Sequence, residues 1–151
     1  MLIPVFGQVA TVVPTILSAL SMAGAPAATP VICTPSVPQG ENGWAQWAPT
    51  EYIELKPEIC DGLHWLDTRE EGNEPFMNWV GQAGVSGLVM LHEATHIAGD
   101  HDETSTECEA LKLLPDFLAQ YLSGDELAQA ERSAVAYDSF LPPIYHEHTC
   151  S

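Results

Sequence analysis

The sequence predicts an α+β domain that is mainly helical. Three observations lead there. Apolar residues recur at helical spacing along most of residues 57–138, whereas only one short run alternates as a half-buried strand does. The length of 151 residues suits one core and leaves no room for a second sizeable one. A hydrophobic fraction of 46% is that of a globular chain rather than a disordered one.

Residues 1–28 are apolar and small, and residues 1–40 hold no Asp, Glu, Lys, Arg or His. The run ends in Ala25 and Ala27, the small-residue pair that an export signal presents for cleavage. No Lys or Arg precedes it, and Pro4 and Pro14 each remove a backbone donor that lipid does not replace. The segment therefore reads as an export segment, with a membrane anchor or an apolar arm packed on the domain as alternatives. Residues 29–43, with Pro30, Pro35 and Pro38, read as a Pro-rich linker. The folded domain is expected over residues 44–151.

Tyr52-Ile53-Glu54-Leu55 alternates and reads as a strand. Pro57 suits the first turn of a short helix over 57–66, with Ile59, Leu63 and Leu66 on one face. Residues 67–78 are acidic and contain Gly and Pro, so they read as loop. The strongest helix spans 85–98, and Gly99 ends it as a left-handed cap. A second helix is expected over 104–122, kinked or broken at Pro115. A third starts after Asp125 and runs to 138. The four tryptophans read as core or lid.

Lys and Arg total 4 against 21 Asp and Glu, a formal charge of −17. Such a surface repels phosphate backbones and anionic headgroups. No nucleic-acid partner is expected, and a membrane only through an uncleaved N-terminal segment. Cys33, Cys60, Cys108 and Cys150 form no Cys-x-x-Cys pair. An even number on an exported chain suggests two disulfides, with the connectivity open. A secreted or extracytoplasmic location follows from the same two features.

His92-Glu93-Ala94-Thr95-His96 matches His-Glu-x-x-His. Histidines at i and i+4 lie on one helix face, so both imidazoles can reach one Zn2+. Glu93 is rotated by about 100° from His92, where it can take a proton from water without ligating the metal. Zinc lowers the pKa of water to about 7 and so yields a nucleophile at neutral pH. A hydrolytic zinc site needs a third protein ligand, and Glu107 is the leading candidate. Counting 3, 4, 7 and 11 from Glu107 gives Ala110, Leu111, Leu114 and Leu118, an apolar stripe. The same count from Glu109 begins Lys112, Leu113 and Asp116, a mostly wet face. A carboxylate on the core-facing stripe is costly unless it meets a cation. Asp102 is the second candidate and His101 a third. The acidic run around Asp102 and Glu103 reads as a cap for the second helix. Tyr137, Tyr145, His146 and His148 are candidate donors to an oxyanion, with helix core or solvated tail as the plainer reading of each.

With Gly99 and Asp102 the motif resembles the metzincin pattern, but all four methionines (Met1, Met22, Met77, Met90) precede it, so the downstream Met-turn of that family is absent. His92-Glu-x-x-His96 followed by Glu107-x-x-Ala110 resembles the gluzincin metallopeptidases instead. Residues 107–115 are similar to a run in the small antirepressor-type peptidases, departing from it at Leu111, where Asn or Asp is usual. Over residues 50–150 the chain looks closer still to small uncharacterised bacterial secreted His-Glu-x-x-His proteins. The resemblance implies a minimal zincin-like domain: an active-site helix, a short turn and an antiparallel second helix. It implies a zinc metallopeptidase acting on a peptide or protein substrate, with His92, His96 and Glu107 on the metal and Glu93 as general base. Two other functions compete: a catalytically inactive zinc-binding surface or interaction protein, and a non-peptidase zinc amidohydrolase.

Overall fold

The structure, a computed structural model, describes residues 13–72, 74 and 77–150. Residues 1–12, the first part of the expected export segment, lie outside the described residues. Among the described residues, four α-helices and one three-stranded sheet are arranged around a fifth, central helix, α3 (Trp79–Ile97). The class is α+β and mainly helical, as the sequence predicts. Around α3 lie α1 (Pro14–Ala23), α2 (Pro57–Thr68), α4 (Glu103–Ala119) and α5 (Gly124–Ser139), and the sheet covers a further side.

The sheet runs β1 (Val31–Cys33), β3 (Tyr52–Leu55), β2 (Gly43–Gln46) in spatial order. β1 is parallel to β3, with Val31 opposite Ile53 and Cys33 opposite Leu55. β2 is antiparallel to β3, with Gly43 opposite Leu55 and Gln46 opposite Tyr52. Ile53 and Leu55 face the helices and are fully buried, while Tyr52 and Glu54 turn outward, as a period of two requires.

Local chemistry sets the helix ends. Pro14 and Pro57 open α1 and α2 at the position where a missing N–H costs nothing. The Asn78 side chain caps α3 by accepting from Gly81 N at 3.1 Å. Asp102 caps α4 by accepting from Ser105 N at 2.8 Å. Between α3 and α4 the chain turns at Gly99, whose φ of +120° suits only glycine. The turn spans residues 98–102, so α4 doubles back at once beside α3.

The linker expected over 29–43 is instead part of the folded unit. β1 lies within it, and Cys33 is joined to Cys60 of α2. The described part of the expected export segment also packs inside: Val13, Ile16, Ala19 and Leu20 are buried, and Thr15 Oγ1 donates to Leu63 O of α2 at 3.1 Å. Burial accounts for the apolar residues on its inner face. The folded unit therefore extends to residue 13, ahead of the expected start at 44. Among the described residues, no helix is long and apolar enough to cross a membrane. The second disulfide joins Cys108 of α4 to Cys150 of the tail. Two disulfides fit an oxidising, extracytoplasmic setting.

Candidate metal centre

The last turns of α3 carry His92 and His96 one above the other, with ring centroids 4.7 Å apart and planes at 84°. Both are buried. Their Nε2 atoms converge on one carboxylate, that of Glu103 at the first residue of α4. His92 Nε2 lies 3.1 Å from Glu103 Oε2, and His96 Nε2 lies 3.0 Å from Glu103 Oε1. Among the described residues, His92, His96 and Glu103 form the group that could hold a metal ion, their ligand atoms all within 4.8 Å of one another. For comparison, ligand atoms at zinc bonding distances are about 3.3 Å apart along a tetrahedral edge.

Each imidazole is held from behind. Glu107 Oε1 is 2.9 Å from His92 Nδ1, and the carbonyl oxygen of Asp100 is 2.7 Å from His96 Nδ1. These acceptors fix the N–H on Nδ1 and leave the Nε2 lone pair for a cation. The donor set therefore fits a divalent metal: two Nε2 atoms and a carboxylate, with the opposite nitrogens already committed.

Electrostatics of the metal-free chain point the same way. Burial opposes a charge on His92, but the hydrogen bonds to Glu103 and Glu107 outweigh it and push the pKa up to about 10. Burial likewise opposes a charge on His96, and its bond to Glu103 still leaves the pKa raised. Burial works against the Glu103 carboxylate, yet both histidines hold it at about 2. On His92 a proton thus occupies the Nε2 position that a cation would take.

Glu93 is buried on the adjoining face of α3, and its pKa is raised to about 7, first by burial, with His92 and His96 pulling the other way. It lines both cavities that meet the histidines. The first also holds Glu41, Asn42, Glu107 and Tyr137. The second opens between β2 and the C-terminal tail, past Trp44, Trp47 and Ile144. Tyr145 lines both, its ring centroid 5.4 Å from that of His92 and its hydroxyl donating to Glu41 Oε2 at 3.3 Å. Tyr137 lies deeper, accepting from Asn42 Nδ2 at 2.8 Å.

The structure brings His92, Glu93 and His96 to one point of the fold. Glu107 is brought to the same histidine but to its other nitrogen, so it is not among the three residues that converge. The helical phase holds: Glu107 is buried and Glu109 reaches Lys112 at the surface. The level does not. α4 begins at Glu103, one residue earlier than expected, so its first turn and not its second stands opposite Nε2. Glu103 and Glu107 are four apart on one face, and that spacing was the available signal for both. Asp102 is exposed and spent on capping, with His148 Nε2 at 3.4 Å. His101 stacks on Trp47 at 4.3 Å and is not among the three residues that converge. His146 pairs with Asp138 at 3.2 Å, so neither tail histidine joins the centre.

The fold and site together define an α+β, mainly helical, disulfide-bonded domain with a buried His/Glu group that could hold a metal ion. Comparison with protein-family models, curated proteins and solved structures returns no match.

Proposed function

We propose that this chain is a zinc-dependent metallopeptidase of the His-Glu-x-x-His type, gluzincin-like, working outside the cytoplasm. One observation carries the reading: two buried imidazoles present Nε2 to one carboxylate while Glu107 and the Asp100 carbonyl occupy both Nδ1 atoms. His92, His96 and Glu103 would hold the ion. This replaces Glu107 by Glu103 as the third ligand and makes Glu107 the group that orients His92. When bound, zinc supplies a Lewis acid that activates water near neutral pH and polarises an amide carbonyl.

The remaining chemistry belongs to the chain. Glu93 takes a proton from the attacking water onto a carboxylate oxygen and returns it to the leaving amine nitrogen. The C–N bond breaks, a C–O bond forms and one water is consumed. The Tyr145 hydroxyl, which lines both cavities, turns from Glu41 Oε2 to donate to the oxyanion of the tetrahedral intermediate. Tyr137, which accepts from Asn42 Nδ2, lines the first cavity beside Glu93. Burial of Glu93, His92 and His96 excludes bulk water and strengthens each of these interactions.

The test uses the full chain on a mixed peptide library, with and without a zinc chelator. Cleavage that stops with the chelator and returns on adding zinc supports the reading. Cleavage that ignores the chelator, or no cleavage by a chain carrying about one zinc, overturns it.

A further inference from the structure

The cavity between β2 and the tail encloses about 200 Å³. Its charged and titratable lining groups are Glu41, Glu93, His96, Glu103 and Tyr145, and no Lys or Arg reaches it. In the proposed reaction His96 and Glu103 are spent on the metal and Glu93 on the proton. Glu41 has no such task. It is half-buried on the loop ahead of β2, and among the described residues its carboxylate has no cationic partner, only the Tyr145 hydroxyl at 3.3 Å. Of the four Lys and Arg in the chain, Arg69 pairs with Glu126 and Lys112 with Glu109.

The same cavity is also lined by two tryptophans. Trp44 projects from β2 and Trp47 follows it, 40% and 38% exposed. Stacking on His101 holds the Trp47 ring in place. A half-buried carboxylate without a counter-ion, in one cavity with partly exposed indole rings, suits one kind of guest. A cation would pair with the carboxylate and lie against the aromatic faces.

We infer that this groove selects substrates bearing a positively charged nitrogen beside the bond to be cut, with Glu41 as its partner and Trp44 and Trp47 as its walls. Placement beside a scissile bond rests on the peptidase reading; recognition of the cation does not. The nitrogen can belong to a Lys or Arg side chain or to a peptide's terminal amine. The net charge of −17 draws such peptides toward the cleft at low salt.

The experiment compares peptides that differ only by Lys or norleucine at each position in turn, with the N-terminus free or acetylated. The readout is the ratio of kcat/KM values, because Glu41 also holds Tyr145 and any loss of rate through that contact cancels in a ratio. A charge-assisted contact predicts a Lys preference of roughly tenfold or more in the wild type, falling to about twofold or less in Glu41→Gln. Preference that survives acetylation assigns the cation to a side chain. Preference for a free terminus, lost in Glu41→Gln, assigns it to the terminal amine. Equal cleavage of all the peptides by the wild type, or a preference that Glu41→Gln retains, overturns the inference.

A second measurement needs no turnover. In the Glu93→Gln background, tryptophan fluorescence reads binding of the same peptides. Tighter binding of the cationic peptide, lost on adding Glu41→Gln, sustains the inference even if the wild type cuts nothing, in which case the peptidase reading alone fails. Equal binding overturns it.

Discussion

Replacing Glu107 by Gln separates the roles of Glu103 and Glu107, the two α4 carboxylates that meet His92. Glu107 Oε1 stands 2.9 Å from His92 Nδ1 and does not approach either Nε2, so the substitution weakens the hold on one ligand without removing a ligand. Loss of such an outer hydrogen bond lowers metal affinity by about 10–100-fold, or about 1.4–2.7 kcal/mol at 1.36 kcal/mol per decade. Glu103→Ala removes a donor atom from the group itself, so its affinity falls beyond that hundredfold limit. Competition against a chromophoric zinc chelator at fixed pH measures both variants and the wild type. Circular dichroism confirms that each variant is folded. If Glu103→Ala binds zinc like the wild type while Glu107→Gln loses it altogether, the assignment is reversed and Glu107 is the ligand.

Further outcomes follow from the packing and the charge state. Ile16 is fully buried beneath α3, so Ile16→Ala destabilises the chain by about 2–5 kcal/mol in urea unfolding; a change near zero would mean that α1 is not part of the working fold. Gly84 leaves no space for a Cβ against the Ala130 carbonyl, so Gly84→Ala forces α3 and α5 apart and costs about 1–3 kcal/mol by the same measurement. Cys108→Ser with Cys150→Ser opens a loop of separation 42, worth about 4 kcal/mol in a chain-entropy treatment, and lowers Tm while zinc stoichiometry is kept. In the metal-free chain His92 keeps a proton up to about 10, so zinc must displace it. Calorimetry in buffers of different ionisation enthalpy therefore detects proton release at pH 7, and the apparent affinity rises with pH across the neutral range. For the metal-free fold the sign is opposite. A raised histidine pKa stabilises it fully below about 6.5, and that contribution is lost as pH rises through about 10.

Elements whose order is local were legible in the sequence. The alternation at Tyr52–Leu55, Pro57 at a helix start and Gly99 at a helix end each act through their own backbone, and each stands where expected. The start of α3 was not legible, because Gly81, Ala83, Gly84 and Gly87 carry little apolar signal. For the glycines smallness matters through neighbours distant in sequence: a Cβ at Gly84 would meet Ala130 of α5, and one at Gly87 Phe117 and Leu114 of α4. β1 and β2 were missed for a related reason. Strands of three and four residues gain their stability from pairing with β3, which nearby sequence does not encode. Residues 13–28 look like an address when taken alone, since a run without charge suits export and a buried helix equally well. At the site, periodicity gave the face of α4 but not its height. Glu103 and Glu107 share a face, and only the length of the turn decides which meets Nε2.

The most direct measurement is peptide cleavage by the zinc-loaded full-length wild type beside zinc-loaded Glu93→Gln, with metal content verified as equal in both. The account predicts that the wild type cuts peptides and that the variant, with the same zinc, cuts at least about a hundredfold more slowly, the lower end of what a positioned general base contributes. Equal rates at equal zinc would contradict it, because the buried carboxylate beside the two histidines would then play no part in the reaction.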